Sequence, residues 1–152
     1  MKCSTVPKMF TIAAVTALAM GVAPTAKAQN NGCSVASLQG TFADKDVGFL
    51  TAPNAAPLPF AGVNAITFDG YGNMTATGFG SVNGNTGPQT EQGTYTVNPD
   101  CTGTYVVTIN PGGLTAHAFF VIDDSLSELQ IIVTDPGTII TCVARKQFPV
   151  IN

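Results

Sequence analysis

Residues Gly93 to Ile109 read GTYTVNPDCTGTYVVTI, and the fold turns on this stretch. Tyr95 and Val97 alternate with Thr94 and Thr96, and Tyr105, Val107 and Ile109 alternate with Thr104, Val106 and Thr108. A period of two belongs to strands with two distinct faces. Between the two runs, Asn98, Pro99, Asp100 and Gly103 supply turn chemistry. The spacing therefore predicts one β-hairpin.

The same plan repeats on both sides of it. Ser34 to Leu38 is predicted as a short helical turn, with Ser34 as a cap, before a first strand from Gly40 to about Leu50. The segment TAPNAAPLP, from Thr51 to Pro59, has three prolines and no periodicity, so it is expected as a long loop. A strand over Phe60 to Phe68 follows, and Asp69-Gly70-Tyr71-Gly72 turns it into another over Asn73 to Val82. Asn83 to Gln89 is expected as a second soft loop. Further strands are placed at Glu91 to Asn98, Thr102 to Ile109, Leu114 to Ile122, Glu128 to Thr134 and Thr138 to Lys146. Eight strands with hairpin-length connections make a meander, which removes its exposed edges by closing on itself. The expected fold is all-β, an eight-stranded antiparallel up-and-down (meander) barrel. A two-sheet sandwich would call for longer crossing connections.

Pairing across the turns assigns the faces. Opposing Val97 with Gly103, Ile109 with Leu114 and Asp135 with Thr138 turns Tyr95, Val97, Tyr105, Val107, Ile109, Leu114, Ala116, Ala118, Phe120, Ile122, Leu129, Ile131, Val133, Ile140 and Cys142 inward. Small residues among large ones leave room inside. An eight-stranded barrel either fills itself or holds one small molecule, and both outcomes stay open at this point. If a ligand is held, Tyr95, Tyr105, Phe120 and Ile131 are the candidate contacts. The register leaves Val106, His117, Phe119, Val121, Ile132 and Ile139 outside on adjacent strands, a patch suited to self-association about a two-fold or three-fold axis.

The first 28 residues read as a secretory signal: Lys2 and Lys8 precede an apolar run from Met9 to Ala23, and Ala26-Lys27-Ala28 is a small-residue site with cleavage expected after Ala28. Residues 29–152 are then a single domain. No later stretch reaches the roughly 18 apolar residues of a membrane-spanning helix. The expected location is secreted or periplasmic. Beyond the signal, only Lys45, Arg145 and Lys146 stand against nine acids, a net charge of −6. Such a surface is a poor match for nucleic acid or anionic lipid.

Cys33, Cys101 and Cys142 remain after the signal, an odd number for an oxidising compartment. Each hairpin reverses direction, so the start of the first strand and the turn around Asp100 share one end of the barrel. A Cys33–Cys101 disulfide is expected, with Cys142 a buried thiol; Cys33 with Cys142 is the alternative. The long loops fall at the opposite end, which is expected to be the open one.

Chemical signatures are sparse. His117 is the single histidine and faces outward, without the partners of a nucleophilic triad or a zinc site. Asp69, Tyr71 and Asn73 match a calcium loop only in part and read better as a hairpin turn. Asp123, Asp124 and Glu128 gather at another turn, where solvated acids are ordinary. Nothing in the spacing places two acids within reach of one pocket, so glycoside chemistry is not predicted. Gly78 and Gly80 within a strand read as bending at barrel corners. No catalytic residue, metal ligand or cofactor is expected.

The motifs Cys33-Ser34 with Leu38-x-Gly40-Thr41-Phe42, Phe68-Asp69-Gly70-x-Gly72-Asn73, and Gly93-x-Tyr95-x-Val97 with Asp100-Cys101-Thr102-Gly103-Thr104 are similar to a group of small exported, largely uncharacterised bacterial β-barrel proteins. More distantly, the plan resembles lipocalin-like and allene oxide cyclase-type barrels, which bind or reshape apolar molecules. The chain has no tryptophan, so the Gly-x-Trp signature of true lipocalins is absent. Three functions follow as expectations: a barrel binding a small apolar ligand, a cyclase-like enzyme with a shaped cavity, or an interaction protein with a filled core. The first is preferred, because no acid or base is placed inside.

Overall fold

The computed structural model describes residues 32–147; the expected signal sequence lies outside them. After a 3-10 turn at Val35–Ser37, eight strands follow in order: β1 (Gln39–Leu50), β2 (Leu58–Asp69), β3 (Asn73–Val82), β4 (Asn85–Val97), β5 (Thr102–Asn110), β6 (Leu114–Ile122), β7 (Glu128–Val133) and β8 (Thr138–Lys146). Each pairs antiparallel with its sequence neighbour, and β8 pairs with β1. The sheet is a closed meander barrel, so it has no free edge.

The register follows the hydrophobic alternation. Val97 opposes Gly103, Tyr105 opposes Ala118, and Ile131 opposes Cys142. On β1 the inward positions are Phe42, Asp44 and Asp46, all buried, while Ala43, Lys45 and Val47 between them face solvent.

The two expected long loops are both shorter, and most other strand ends lie within one residue of expectation. The segment Asn83 to Gln89 is not a loop: β4 begins at Asn85, directly opposite Val82. Asn83 and Gly84 form the whole turn, with φ of 48° and 84°. Asn-Gly with both φ positive is the two-residue hairpin whose twist matches that of its strands. The proline-rich loop is also shorter than expected, since Leu58 and Pro59 already pair with Leu50 and Phe49.

The end of the barrel that carries the β4–β5 turn is filled. Phe42 meets Phe68 edge-to-face at 5.5 Å and Phe68 meets Tyr95 at 5.0 Å, with Leu38, Met74 and Leu129 fully buried around them. The Tyr95 hydroxyl accepts from the Gly70 N–H at 3.1 Å and lies 2.9 Å from the carbonyls of Val35 and Leu38. It thereby ties the 3-10 turn across the barrel mouth. Cys33 and Cys101 are joined by a disulfide there, as the topology predicts. Cys142 is a buried free thiol.

Candidate functional site

Above this packed layer the interior is open. A cavity of about 420 Å³ occupies the other half of the barrel. Its upper wall is apolar, with Leu50, Phe60, Val82, Ile109, Val133 and Ile140, and the β7–β8 turn residues Asp135, Pro136 and Gly137 stand at its mouth. Eight strands thus give both outcomes in one barrel, a filled half and a half with room for one small molecule.

The floor is polar. Asp46, Gln89, Glu91, Tyr105 and Cys142 line the lower cavity, and Asp44 and Asn64 are buried with them in the barrel interior. Asn64 Nδ2 donates to Asp46 Oδ2 at 2.8 Å and more weakly to Asp44 Oδ2 at 3.4 Å. Gln89 Nε2 donates to Asn64 Oδ1 at 2.9 Å and reaches Glu91 Oε1 at 3.5 Å. Asp44 Oδ1 is buried without a partner.

The placement of these groups corrects the expectation that no two acids share a pocket. Asp46 and Glu91 line the same cavity. The pattern was present in β1, where Phe42, Asp44 and Asp46 sit at alternate positions, but polar residues at such spacing normally mark the solvent face. Glycines supply the room. Gly62 and Gly78 oppose Asp46 and Asn64 on neighbouring strands. A Cβ at Gly62 would stand 2.6 Å from Asp46 Oδ2, and one at Gly78 or Gly80 would collide with Asn64 Oδ1 or Gln89 Oε1. These glycines therefore make space for the polar floor, a use beyond the barrel bending expected of Gly78 and Gly80.

Burial sets the protonation of the floor. Loss of water pushes the Asp44 carboxyl up to about 8, with the neighbouring Asp46 charge and hydrogen bond adding to the effect and Asn64 opposing it. Burial raises Glu91 to about 7, again with help from Asp46. Burial likewise holds the Tyr105 hydroxyl and the Cys142 thiol in their neutral forms. Asp44, Asp46 and Cys142 can each bring one ligand atom within 4.8 Å of the others. Burial disfavours the thiolate that a metal would need from Cys142, and Asp44 and Asp46 are bridged by the Asn64 amide.

No protein-family model matches this chain, and no curated protein matches it significantly. The site must be read from its own geometry.

Of the residues proposed from sequence as ligand contacts, Tyr105 lines the cavity. Its ring stacks on Phe120 at 6.4 Å between centroids, which joins the cavity wall to the core. Tyr95, Phe120 and Ile131 are buried but are not among the cavity-lining residues. His117 faces outward, with Nδ1 2.7 Å from Asp135 Oδ1. Asp69 accepts from the N–H groups of Tyr71 and Asn73 at 2.7 and 3.0 Å, the geometry of a hairpin turn. Asp123 accepts from Ser127 N and Glu128 N, while Glu128 Oε2 accepts from Arg145 Nε at 2.6 Å. Asp123 and Glu128 are thus engaged in structural hydrogen bonds.

Proposed function

We propose that this chain is an exported barrel that binds one small, largely apolar molecule in the cavity above the Asp46–Glu91 floor. The observation carrying this reading is the cavity itself: about 420 Å³, walled by Leu50, Phe60, Val82, Ile109 and Ile140, a size and character typical of small-ligand sites. Export is supported by the Cys33–Cys101 disulfide, which suits an oxidising compartment. Titrating a lipophilic fluorescent probe into the purified protein tests the reading. Saturable enhancement is expected, with loss of binding when Ile109 and Ile140 are both replaced by Asp; no saturable binding across varied probes overturns it.

A second reading, a cyclase-like enzyme, is favoured by the carboxyl groups inside the cavity. An acid near neutrality at the end of an apolar chamber can exchange a proton with a bound substrate, and Glu91 has that position. Glu91→Gln would then abolish turnover while leaving probe binding intact.

The outer surface supports a third element of the proposal, self-association. Val106, Phe119, Val121, Ile132 and Ile139 are each at least 38% exposed on β5 to β8. The charged pair Glu128–Arg145 neutralises itself beside them, so little repulsion opposes a second copy.

A further inference from the structure

We propose that the cavity recognises a cationic amphiphile, an alkylammonium-type molecule whose ammonium sits on Asp46 and Glu91 and whose tail lies along the apolar wall. This inference rests on the proposed binding function and specifies the ligand's chemistry.

Charge is the first ground. Three carboxyl groups, Asp44, Asp46 and Glu91, share the floor region, and among the described residues no Lys, Arg or His lines the cavity. Lys45 alternates outward on β1, and Arg145 pairs with Glu128. Lys146 lies over the Phe42 ring, 5.9 Å from its centroid, at the packed end. An anionic head would place a further acid group among three crowded carboxyls, two of which burial already holds toward their neutral form, and its charge would be unfavourable in low dielectric. A cationic head instead favours the ionised form of these carboxyls, for which the described residues of the cavity supply no counter-ion.

Hydrogen-bonding capacity is the second ground, and it points the same way. Both side-chain amides have turned their N–H groups toward floor acceptors: Asn64 toward Asp44 and Asp46, Gln89 toward Asn64 and Glu91. The Tyr105 hydroxyl and the Cys142 thiol each offer a single hydrogen. What remains is the carboxyl oxygens themselves, including Asp44 Oδ1, which is buried and unpartnered and is a full acceptor once a neighbouring cation draws the carboxyl into its ionised form. A group with several N–H donors and no acceptor complements such a floor, and an ammonium is that group.

Displacement of the lipophilic probe by decylammonium, decanol and decanoate at neutral pH tests the inference, since the three share one tail and differ only in the head. Decylammonium is expected to displace the probe at a concentration about tenfold or more below that for decanol, the worth of one hydrogen-bonded charge pair, with decanoate weakest. Glu91→Gln and, separately, Asp46→Asn should each lower the ratio of decylammonium to decanol affinity, and an unchanged ratio in both variants overturns the assignment of the head to these carboxyls. Equal displacement by decylammonium and decanol, or tighter binding of decanoate, overturns the cationic inference and leaves apolar binding standing. Failure of the probe and of all three ligands overturns the binding function itself.

Discussion

Asp44 and Glu91 are the residues at which the interior departs most from an ordinary core, and they make the fold pH-sensitive. An acid whose pKa is higher in the folded chain binds more protons folded than unfolded. Its contribution is fully present below the unfolded value and is lost as pH rises through the folded one. With Asp44 raised from 3.8 to about 8 and Glu91 from 4.5 to about 7, thermal stability should fall as pH is taken from about 5 to about 9. Asp44→Asn should flatten that slope and raise the melting temperature above pH 8 by several degrees; melts of both proteins across the range check this, and an unchanged slope would contradict it. Tyr95 is the opposite case, a polar group fully employed. Tyr95→Phe removes the hydroxyl that Gly70, Val35 and Leu38 share, at a cost of about 1–3 kcal/mol, readable as a lower denaturant midpoint with probe binding unchanged. The two residues also mark what a sequence can reveal. Tyr95 lies within a clean alternation, so its inward direction was legible. Asp44 and Asp46 alternate just as regularly, but burial of acids is unusual enough that alternation alone points them outward.

At the scale of elements, hairpins were readable wherever turn chemistry and alternation agreed. β3, β6 and β8 have the bounds expected from sequence, Asn73–Val82, Leu114–Ile122 and Thr138–Lys146. β4 is longer than the sequence pattern suggests because Pro88 and Gly87, following directly on the Asn83-Gly84 turn, make its first half look like loop. The Asn83-Gly84 turn pins that half to β3 nevertheless, and it carries Gln89 to the cavity floor. The glycines opposite the floor carry a testable role. Gly62→Ala places a Cβ against Asp46 Oδ2, which must move; ligand binding should weaken several-fold while the barrel still folds, as checked by probe titration and circular dichroism. Unaltered binding would show that the floor does not depend on this glycine. The disulfide acts on a longer range. Cys33 and Cys101 are 68 residues apart, and the chain-entropy model assigns a cross-link of that length about 4 kcal/mol. A Cys33→Ala, Cys101→Ala variant should lose stability of that order in urea, since the loop it releases includes the turn that closes the packed end.

For the whole molecule, closure of the barrel settles the inside but leaves the outside unresolved. Short connections and eight alternating runs were enough to predict closure, whereas the division of the interior into a filled and an open half was not legible, because it depends on which inward residues meet across the barrel. The outer face was legible from the same register. Phe119, Val121 and Ile132 lie on adjacent strands, with Phe119 opposite Ile132 across the β6–β7 ladder, and Val106 and Ile139 extend the patch to β5 and β8. Their shared exposure leaves apolar area in water that a second copy would remove, at about 25 cal/mol for each Å² covered. Association of this kind needs no new charge pairing, because Arg145 is already engaged by Glu128. Light scattering of the purified protein at micromolar concentration should give a multiple of the single-chain mass, and Phe119→Lys with Ile132→Asp should return it to one chain without a fall in melting temperature of the isolated barrel. A single-chain mass for the unaltered protein at high concentration would remove self-association from the account and leave the patch for a different partner.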